Sequence, residues 1–396
     1  LNTEEFNYNL PVNRIAQYPL ALRDHSKLLI YKDGAIKQNN FYNITKYLPS
    51  QSLLVFNNSK VIHARLLFKK DTGSLIEIFC LEPAVQELQT AFQQKESCEW
   101  KCLVGNNKRW KFGQLKIEWN GTTLIAEKIK QEEDNFIIKF SWKPRHFCFS
   151  EVIELIGKVP LPPYIDREVE EYDSSRYQTV YAKYEGSVAA PTAGLHFTEK
   201  TFKDIKEAGI KHEFVTLHVG TGTFKPVNVA NITDHEIHEE CFNVSRHLII
   251  DLINQIKSGK PVIPVGTTSL RTLESLYWLG VKAIQNELSN VFLEQWESGK
   301  LKDLNISATN ALTVLIAEID KNNTSYLNGS TKLMIIPGYK FRIAKGIITN
   351  FHQPRSTLLM LIAAMIGDKW KEVYNFALAN DFRFLSYGDC CLFLNN

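Results

Sequence analysis

Two stretches concentrate the residue types that catalysis uses: RYQTVYAKYEGSVAAPTAGLHFT (residues 176–198) and FVTLHVGTGTFKPV (214–227). Each sets one histidine, His196 or His218, among threonines and small residues that let backbone approach a ligand closely. Imidazole is the side chain that can take or give a proton near neutrality, so both are candidates for acid–base work. A satisfied structural histidine would look the same, and only the shared context separates the two readings. His235, His238 and Glu240 have metal-ligand chemistry, but their i, i+3, i+5 spacing does not set three ligands on one helix face. No metal is expected there. No Gly-Xaa-Ser-Xaa-Gly elbow is present, and Cys390-Cys391 has no evident partner base, which argues against a serine or cysteine nucleophile. Gly266-Thr-Thr-Ser stands between a strand-like run, Pro261–Val265, and a helical one, Leu270–Leu279. Strand, small-residue turn and helix together present free N–H groups to a carboxylate or phosphate, although an ordinary Thr/Ser cap uses the same letters. Neither GxGxxG nor GxxxxGK[ST] occurs, which weighs against a dinucleotide or P-loop site.

The elements that must position these residues fall into two textures. Residues 1–66 hold short strand-like runs at Lys27–Tyr31, Ser52–Phe56 and Val61–Leu66. Between about 67 and 150, alternating segments follow one another at Leu75–Leu81, Glu99–Val104, Leu115–Trp119, Thr122–Ile129 and Phe136–Trp142. Asn120-Gly121 marks a tight hairpin, because both residues tolerate the positive φ of a type I′ turn. Five or six strands with no convincing helix predict a small antiparallel β-barrel, inserted into the chain, with Trp100, Trp110, Trp119 and Trp142 in its core. Beyond 150, helical and strand patterns alternate. Ser245–Lys257 repeats its apolar residues with a helical period and Gly259 ends it, while 283–330 reads as an elaborated loop or linker. The fold class expected is therefore α/β: a discontinuous catalytic domain, 1–66 with 151–396, and the inserted barrel at 67–150. At 396 residues, two domains are the natural division.

Charge and composition narrow the function classes. The net charge of +3 is too small to announce a nucleic acid, but from Lys321 to Gly367 there are basic residues and no acid. Lys340, Arg342, Lys345 and Arg355 in that stretch are candidates for an RNA backbone, with a solvated face as the plain alternative. Seven cysteines without CxxC spacing read as reduced thiols. The longest apolar run, Leu358–Ile366, is far short of a membrane span. The opening LNTEEFNYNLP is acidic and polar, unlike a signal peptide, and its missing Met is read as trimming, so a cytoplasmic protein is expected.

Eleven motifs in one order carry a resemblance: AQYPLALRDHSKLL (16–29), VFNNSKVIHARL (55–66), PLPPYI (160–165), RYQTVYA (176–182), VAAPTAGLHFT (188–198), FVTLHVGTGTFKPV (214–227), HEIHEE (235–240), VGTTSLRTLES (265–275), IIPGYKF (335–341), TNFHQPRSTLLML (349–361) and RFLSYGD (383–389). The chain resembles the QueA family, the S-adenosylmethionine:tRNA ribosyltransferase-isomerases of queuosine biosynthesis. It departs where the family usually has Asp-Thr-Arg and this chain has Asn58-Ser59-Lys60, at His63 in place of Pro, and at Lys345 in place of an acid. The resemblance implies a barrel-like mixed sheet with a small inserted β-barrel. It also implies transfer of the ribosyl part of S-adenosylmethionine to 7-aminomethyl-7-deazaguanine at the tRNA wobble position, giving epoxyqueuosine, adenine and methionine.

That chemistry needs a neutral base beside a sulfonium, for which His196 is the first choice, with His218 and His352 behind it. Asp389 or Tyr387 could protonate departing adenine or face the cation. Arg271 with Gly266, Thr267 and Thr268 suits the methionine carboxylate, Arg176 and Tyr177 the modified base or its phosphate, and Thr192 lies in the same substrate-binding set. The partners implied are tRNA and S-adenosylmethionine, the latter consumed as cosubstrate, with no cofactor and no membrane. Two competing readings are an RNA-binding barrel on an inert scaffold and a small-molecule oxidoreductase. The first leaves the densest motifs outside the barrel, and the second lacks its fingerprint.

Overall fold

In the computed structural model, which describes residues 1–220, 227, 229–288 and 290–395, Asn120 and Gly121 sit at φ 48° and 78°. They turn the strand Gln114–Trp119 back along Thr122–Glu132 as the hairpin signal requires. These two belong to a six-stranded antiparallel sheet that runs Arg65–Lys69, Leu75–Pro83, Ser97–Gly105, Asn135–Lys143, Thr122–Glu132, Gln114–Trp119. Its two edge strands come together, so the sheet curls almost closed. Alternate residues fill the inside: Ile76, Ile78 and Cys80 from one strand, Trp100 and Cys102 from the next, Ile138, Phe140 and Trp142 from a third. The helix Phe149–Ile156 plugs the barrel, setting the Phe149 ring 5.3 Å from Trp100 and 5.4 Å from Trp142. Ile62 and Ala64 join the same core, so it draws on chain from both sides of the inserted stretch. Trp119 departs from the expectation. It is 55% exposed, because the strand runs past the end of the core before it turns.

The rest of the chain builds a curled mixed sheet. Val262–Pro264, Leu53–Asn57 and Lys211–His218 are parallel neighbours, and Glu240–Ser245 and Tyr326–Thr331 continue the sheet antiparallel. A second ladder, Gly346–Asn350, Cys390–Leu394, Lys27–Lys32, Ala35–Asn40, is joined to the first by the bridges Val262–Ala344 and Val265–Ile348. Every residue of Leu53–Asn57, Gly346–Asn350 and Cys390–Leu394 is buried. Such strands are covered on both faces, which is why their sequences read as apolar runs and not as alternation. The run read as one strand at Val61–Leu66 splits: Ser59–Val61 pairs with Tyr184–Ser187, and a new strand starts in the barrel at Arg65.

One helix, Thr267–Ile284, lies almost wholly inside. Its Glu274 carboxylate accepts from Tyr339 Oη at 2.9 Å and from the N–H groups of Arg342, Ile343 and Ala344 at 2.8–2.9 Å. A buried carboxylate with four donors is a satisfied one, and here it ties the helix to the chain entering Gly346–Asn350. The segment 283–330 is not a linker. It contains the helix Ala308–Lys321, whose Ala311, Leu312, Leu315 and Ile319 are buried, and the strand Tyr326–Thr331. At the crossing of the two helices a Cβ on Gly280 would stand 2.2 Å from the Ala311 carbonyl oxygen, so only glycine allows that approach. Among the described residues no helix is long and apolar enough to cross a membrane; Leu358–Ile366 belongs to a ten-residue helix, Thr357–Ile366.

Candidate active site

Gly266 sits at φ +92°, a backbone setting that favours glycine, and its N–H donates to the Ile348 carbonyl at 2.8 Å. That bond fixes the start of the Thr267–Ile284 helix against the end of the strand Gly346–Asn350. No side chain caps the helix, so the first-turn N–H groups at Thr267, Thr268 and Ser269 are left for another acceptor. They open into a cleft of about 1180 Å³, measured out to its mouth. Arg271 and Glu240, both buried, form an ion pair of 3.0 Å across its wall. The pair is not aligned as a hydrogen bond: Glu240 Oε2, the oxygen of that ion pair, accepts none, and Arg271 Nε is buried without a hydrogen-bond partner. Such unspent donors and acceptors cost free energy unless a ligand meets them. Burial raises the Glu240 pKa, against the pull of Arg271.

More of the lining comes from Thr349, Asn350 and the loop that follows them. His352 lies 3.0 Å from Thr349 Oγ1 through Nε2, and its backbone is held by Tyr8 Oη at 2.6 Å and Tyr374 Oη at 3.1 Å. Burial lowers its pKa to about 3, so it is neutral at any working pH. Asn350 Nδ2 donates to the Leu385 carbonyl at 3.2 Å and to His196 Nε2 at 3.2 Å, which leaves Asn350 Oδ1 buried and unpartnered in the cleft wall. His196 Nδ1 therefore carries the proton and donates to Ser26 Oγ at 2.7 Å. Thr192 and Ser386 complete the polar lining, Ser386 Oγ lying 2.6 Å from Tyr164 Oη.

The structure brings together Thr192, Gly266, Thr267, Thr268, Arg271 and His352, as expected of a site. Other residues it places elsewhere. His196 is behind the cleft wall, separated by Asn350, and faces a smaller hollow; burial and then Arg383 lower its pKa to about 3. His218, the last residue of its strand, does not line the cleft although Val219 after it does, and it packs beside Gly186. Tyr387 donates to Asp173 Oδ1 at 2.9 Å, and burial raises its pKa. Asp389 is a structural clamp: its oxygens accept from the N–H groups of Lys27 at 2.8 Å and Arg383 at 2.7 Å. Arg176 and Tyr177 also stand outside the cleft, Arg176 at the smaller hollow and Tyr177 in a core cluster.

The basic stretch is free of acids along the sequence but not in space. Arg355 pairs with Glu4 at 2.8 Å, and the Arg342 guanidinium lies over the Tyr277 and Trp278 rings at 5.2 and 5.5 Å. Lys340 and Lys345 are exposed, with no ion pair among the described residues. His235, His238 and Glu240 do line the cleft, on extended chain and not on a helix. Among the described residues only Glu213, His247 and Asp251 gather as a metal site requires, away from the cleft. Residues 221–226 of the second histidine motif lie outside the described residues. Sequence reasoning gave Glu240 no role beyond a rejected metal site, and it passed over Asn350 and Thr349, although all three stand in quoted motifs.

A curled α/β sheet whose cleft gathers a helix N-terminus, a buried ion pair and a neutral imidazole has the make-up of an enzyme active site. The chain belongs to the queuosine biosynthesis protein family, whose profile matches residues 3–393. It is 40% identical over its whole length, and the whole of the relative's, to the S-adenosylmethionine:tRNA ribosyltransferase-isomerase of Halothermothrix orenii. It is 38% identical, again over all of both chains, to the enzyme of the same name from Thermoanaerobacter sp.. A crystal structure of an S-adenosylmethionine tRNA ribosyltransferase from Thermotoga maritima is 28% identical, covering 98% of this chain and 100% of that one, with a TM-score of 0.47.

Proposed function

We propose that the chain transfers and isomerises the ribosyl group of S-adenosylmethionine onto 7-aminomethyl-7-deazaguanine at the wobble position of tRNA, releasing adenine and methionine. One observation carries this reading. Every residue lining the large cleft falls in one of seven separate family motifs, from PLPPYI at 160–165 to RFLSYGD at 383–389, which the fold gathers from across the chain. That convergence favours an enzyme over an RNA-binding barrel on an inert scaffold. The six barrel strands, from Arg65 to Lys143, contribute nothing to the cleft lining.

In this reading the helix N-terminus and Arg271 Nε hold the methionine carboxylate. The sulfonium acidifies the ribose C5′–H, and His352, neutral and at the cleft, accepts that proton with Thr349 as its hydrogen-bond partner. Glu240, in place of Asp389 or Tyr387, is the acid at the cleft: burial favours its protonated form, and that form gives its proton to departing adenine and is left as the carboxylate facing Arg271. Asn350 Oδ1 accepts from a ribose hydroxyl or the aminomethyl nitrogen. His196 is a positioning residue that acts through Asn350. No resident cofactor or metal is required, since S-adenosylmethionine is consumed.

The test is a ranking of variants. His352→Ala should lower kcat about 10²–10⁴-fold with S-adenosylmethionine affinity little changed, as loss of a general base does. His196→Ala should cost less, and Glu240→Gln should slow adenine release. A larger loss for His196→Ala than for His352→Ala returns the base to His196.

A further inference from the structure

Behind His196, on its far side from the cleft, a second hollow of about 300 Å³ out to its mouth is lined by Arg23, Arg176 and Arg383, together with Ser26, His196 and Tyr387. Among the described residues no carboxylate lines it. Each guanidinium is steadied by backbone carbonyls alone: Arg23 donates to Gln178 O at 2.9 Å and Ser175 O at 3.2 Å, Arg176 to Ala21 O at 3.0 Å and to Leu20 O, and Arg383 to Tyr18 O at 3.1 Å. A guanidinium has five N–H donors, so most of theirs are unspent, and Arg176 Nε is buried with no partner. The acids nearby are committed. Asp173 is taken by Arg167 at 2.7 and 2.8 Å and by Tyr387, and Asp389 by two backbone N–H groups.

Three sheltered cations elsewhere in the chain are paired, Arg167 with Asp173, Arg271 with Glu240 and Lys282 with Glu297. Here three are grouped with no ion pair to any of them among the described residues, although Asp389 pulls on Arg383; burial and then Arg176 lower the Arg23 pKa, and Arg383 adds to the lowering at His196. Like charges held together in a partly desolvated hollow are unfavourable unless an anion joins them, and guanidinium groups match phosphate oxygens in geometry. Ser386 lines both cavities, so an anion seated here would be one side chain from the cleft.

We propose that the arginine hollow seats one phosphodiester group of the tRNA backbone beside the nucleotide being modified, and so presents that nucleotide to the cleft. This rests on the tRNA reading above. The methionine carboxylate is the other anion at hand, but the cleft already offers it Arg271 and the helix N-terminus.

The experiment uses the full chain and synthetic anticodon stem-loops carrying the aminomethyl-deazaguanine, with single linkages replaced in turn by neutral methylphosphonates. One neutral linkage adjacent to the wobble nucleotide should weaken binding to the native protein about tenfold, the size of one charge-assisted contact. The same linkage should cost nothing further in the Arg23→Gln/Arg383→Gln protein, whose S-adenosylmethionine affinity, measured without RNA, stays within twofold. Should no linkage in the scan affect the native protein while adenine and methionine are still produced, the hollow is not a phosphate seat and the enzyme assignment stands. A loss of S-adenosylmethionine affinity in the double variant overturns the proposal in favour of the carboxylate. Failure of the native protein to bind or turn over the RNA at all removes the functional reading and the proposal with it. The linkage scan needs no variant, so a variant that does not fold leaves the decision intact.

Discussion

His196 and His352 are buried neutral, each with a folded pKa near 3 against an ordinary 6.5. The unfolded chain takes up protons at these sites below pH 6.5 and the folded protein does not, so stability is whole above 6.5 and is lost as pH falls toward 3. Each group contributes a slope of at most about 1.4 kcal/mol per pH unit in that window. Urea midpoints should therefore drop between pH 6.5 and 4.5, and His196→Gln should flatten the drop; a pH-independent midpoint would mean that these imidazoles are solvated. The sequence marks both histidines by their motifs. It does not say that Asn350 stands between His196 and the cleft, because a motif shows that a residue matters and not where its side chain points. Asp389 is the clearest instance: within SYGD it reads as a catalytic acid, yet its two oxygens are spent on backbone N–H groups of Lys27 and Arg383.

The elements that build the site were legible where one physical rule dominates. The Asn120-Gly121 turn has little freedom, and the helix after Ser245 is announced by its apolar period and ends before Gly259, at φ +65°. The long helix was seen only from Leu270 to Leu279, because Thr267–Ile284 is buried on every side and shows no polar face to mark its ends. The segment 283–330 reads as a loop in the sequence for a related reason. The polar run from Asp320 to Ser330 resembles a loop, while Tyr326–Thr331 pairs with Glu240–Ser245, a partner more than 80 residues away in sequence. The tight contact between Gly280 and Ala311 tests this packing. Gly280→Ala must push the Ala308–Lys321 helix off its neighbour, and overpacking of this kind costs about 1–3 kcal/mol. A fall in thermal midpoint is expected, and an unchanged one would contradict the crossing.

At the scale of the whole molecule, the joined ladders curl so that segments from residue 164 to residue 386 meet in one cleft, while the barrel keeps its own core. The fold class was readable from the change in texture near residue 67. The charge pattern was not, because charge along the chain differs from charge in space: Glu4 pairs with Arg355, and the Arg342 guanidinium lies over the rings of Tyr277 and Trp278. Lys340 and Lys345 are exposed, with no ion pair among the described residues. Replacing both by Gln should lower the slope of log affinity for tRNA against log salt by about 1.5, since each neutralised phosphate contributes roughly 0.7–0.9. An unaltered slope would take this stretch out of the RNA surface.

Product analysis tests the central claim most directly. With S-adenosylmethionine labelled in both its methionine and adenine parts, and tRNA carrying 7-aminomethyl-7-deazaguanine, the protein should release adenine and methionine in equal amounts. It should do so only when that RNA is present, and in the presence of a metal chelator. Formation of S-adenosylhomocysteine, the mark of methyl transfer, or release of adenine that does not depend on the RNA, would contradict the assignment.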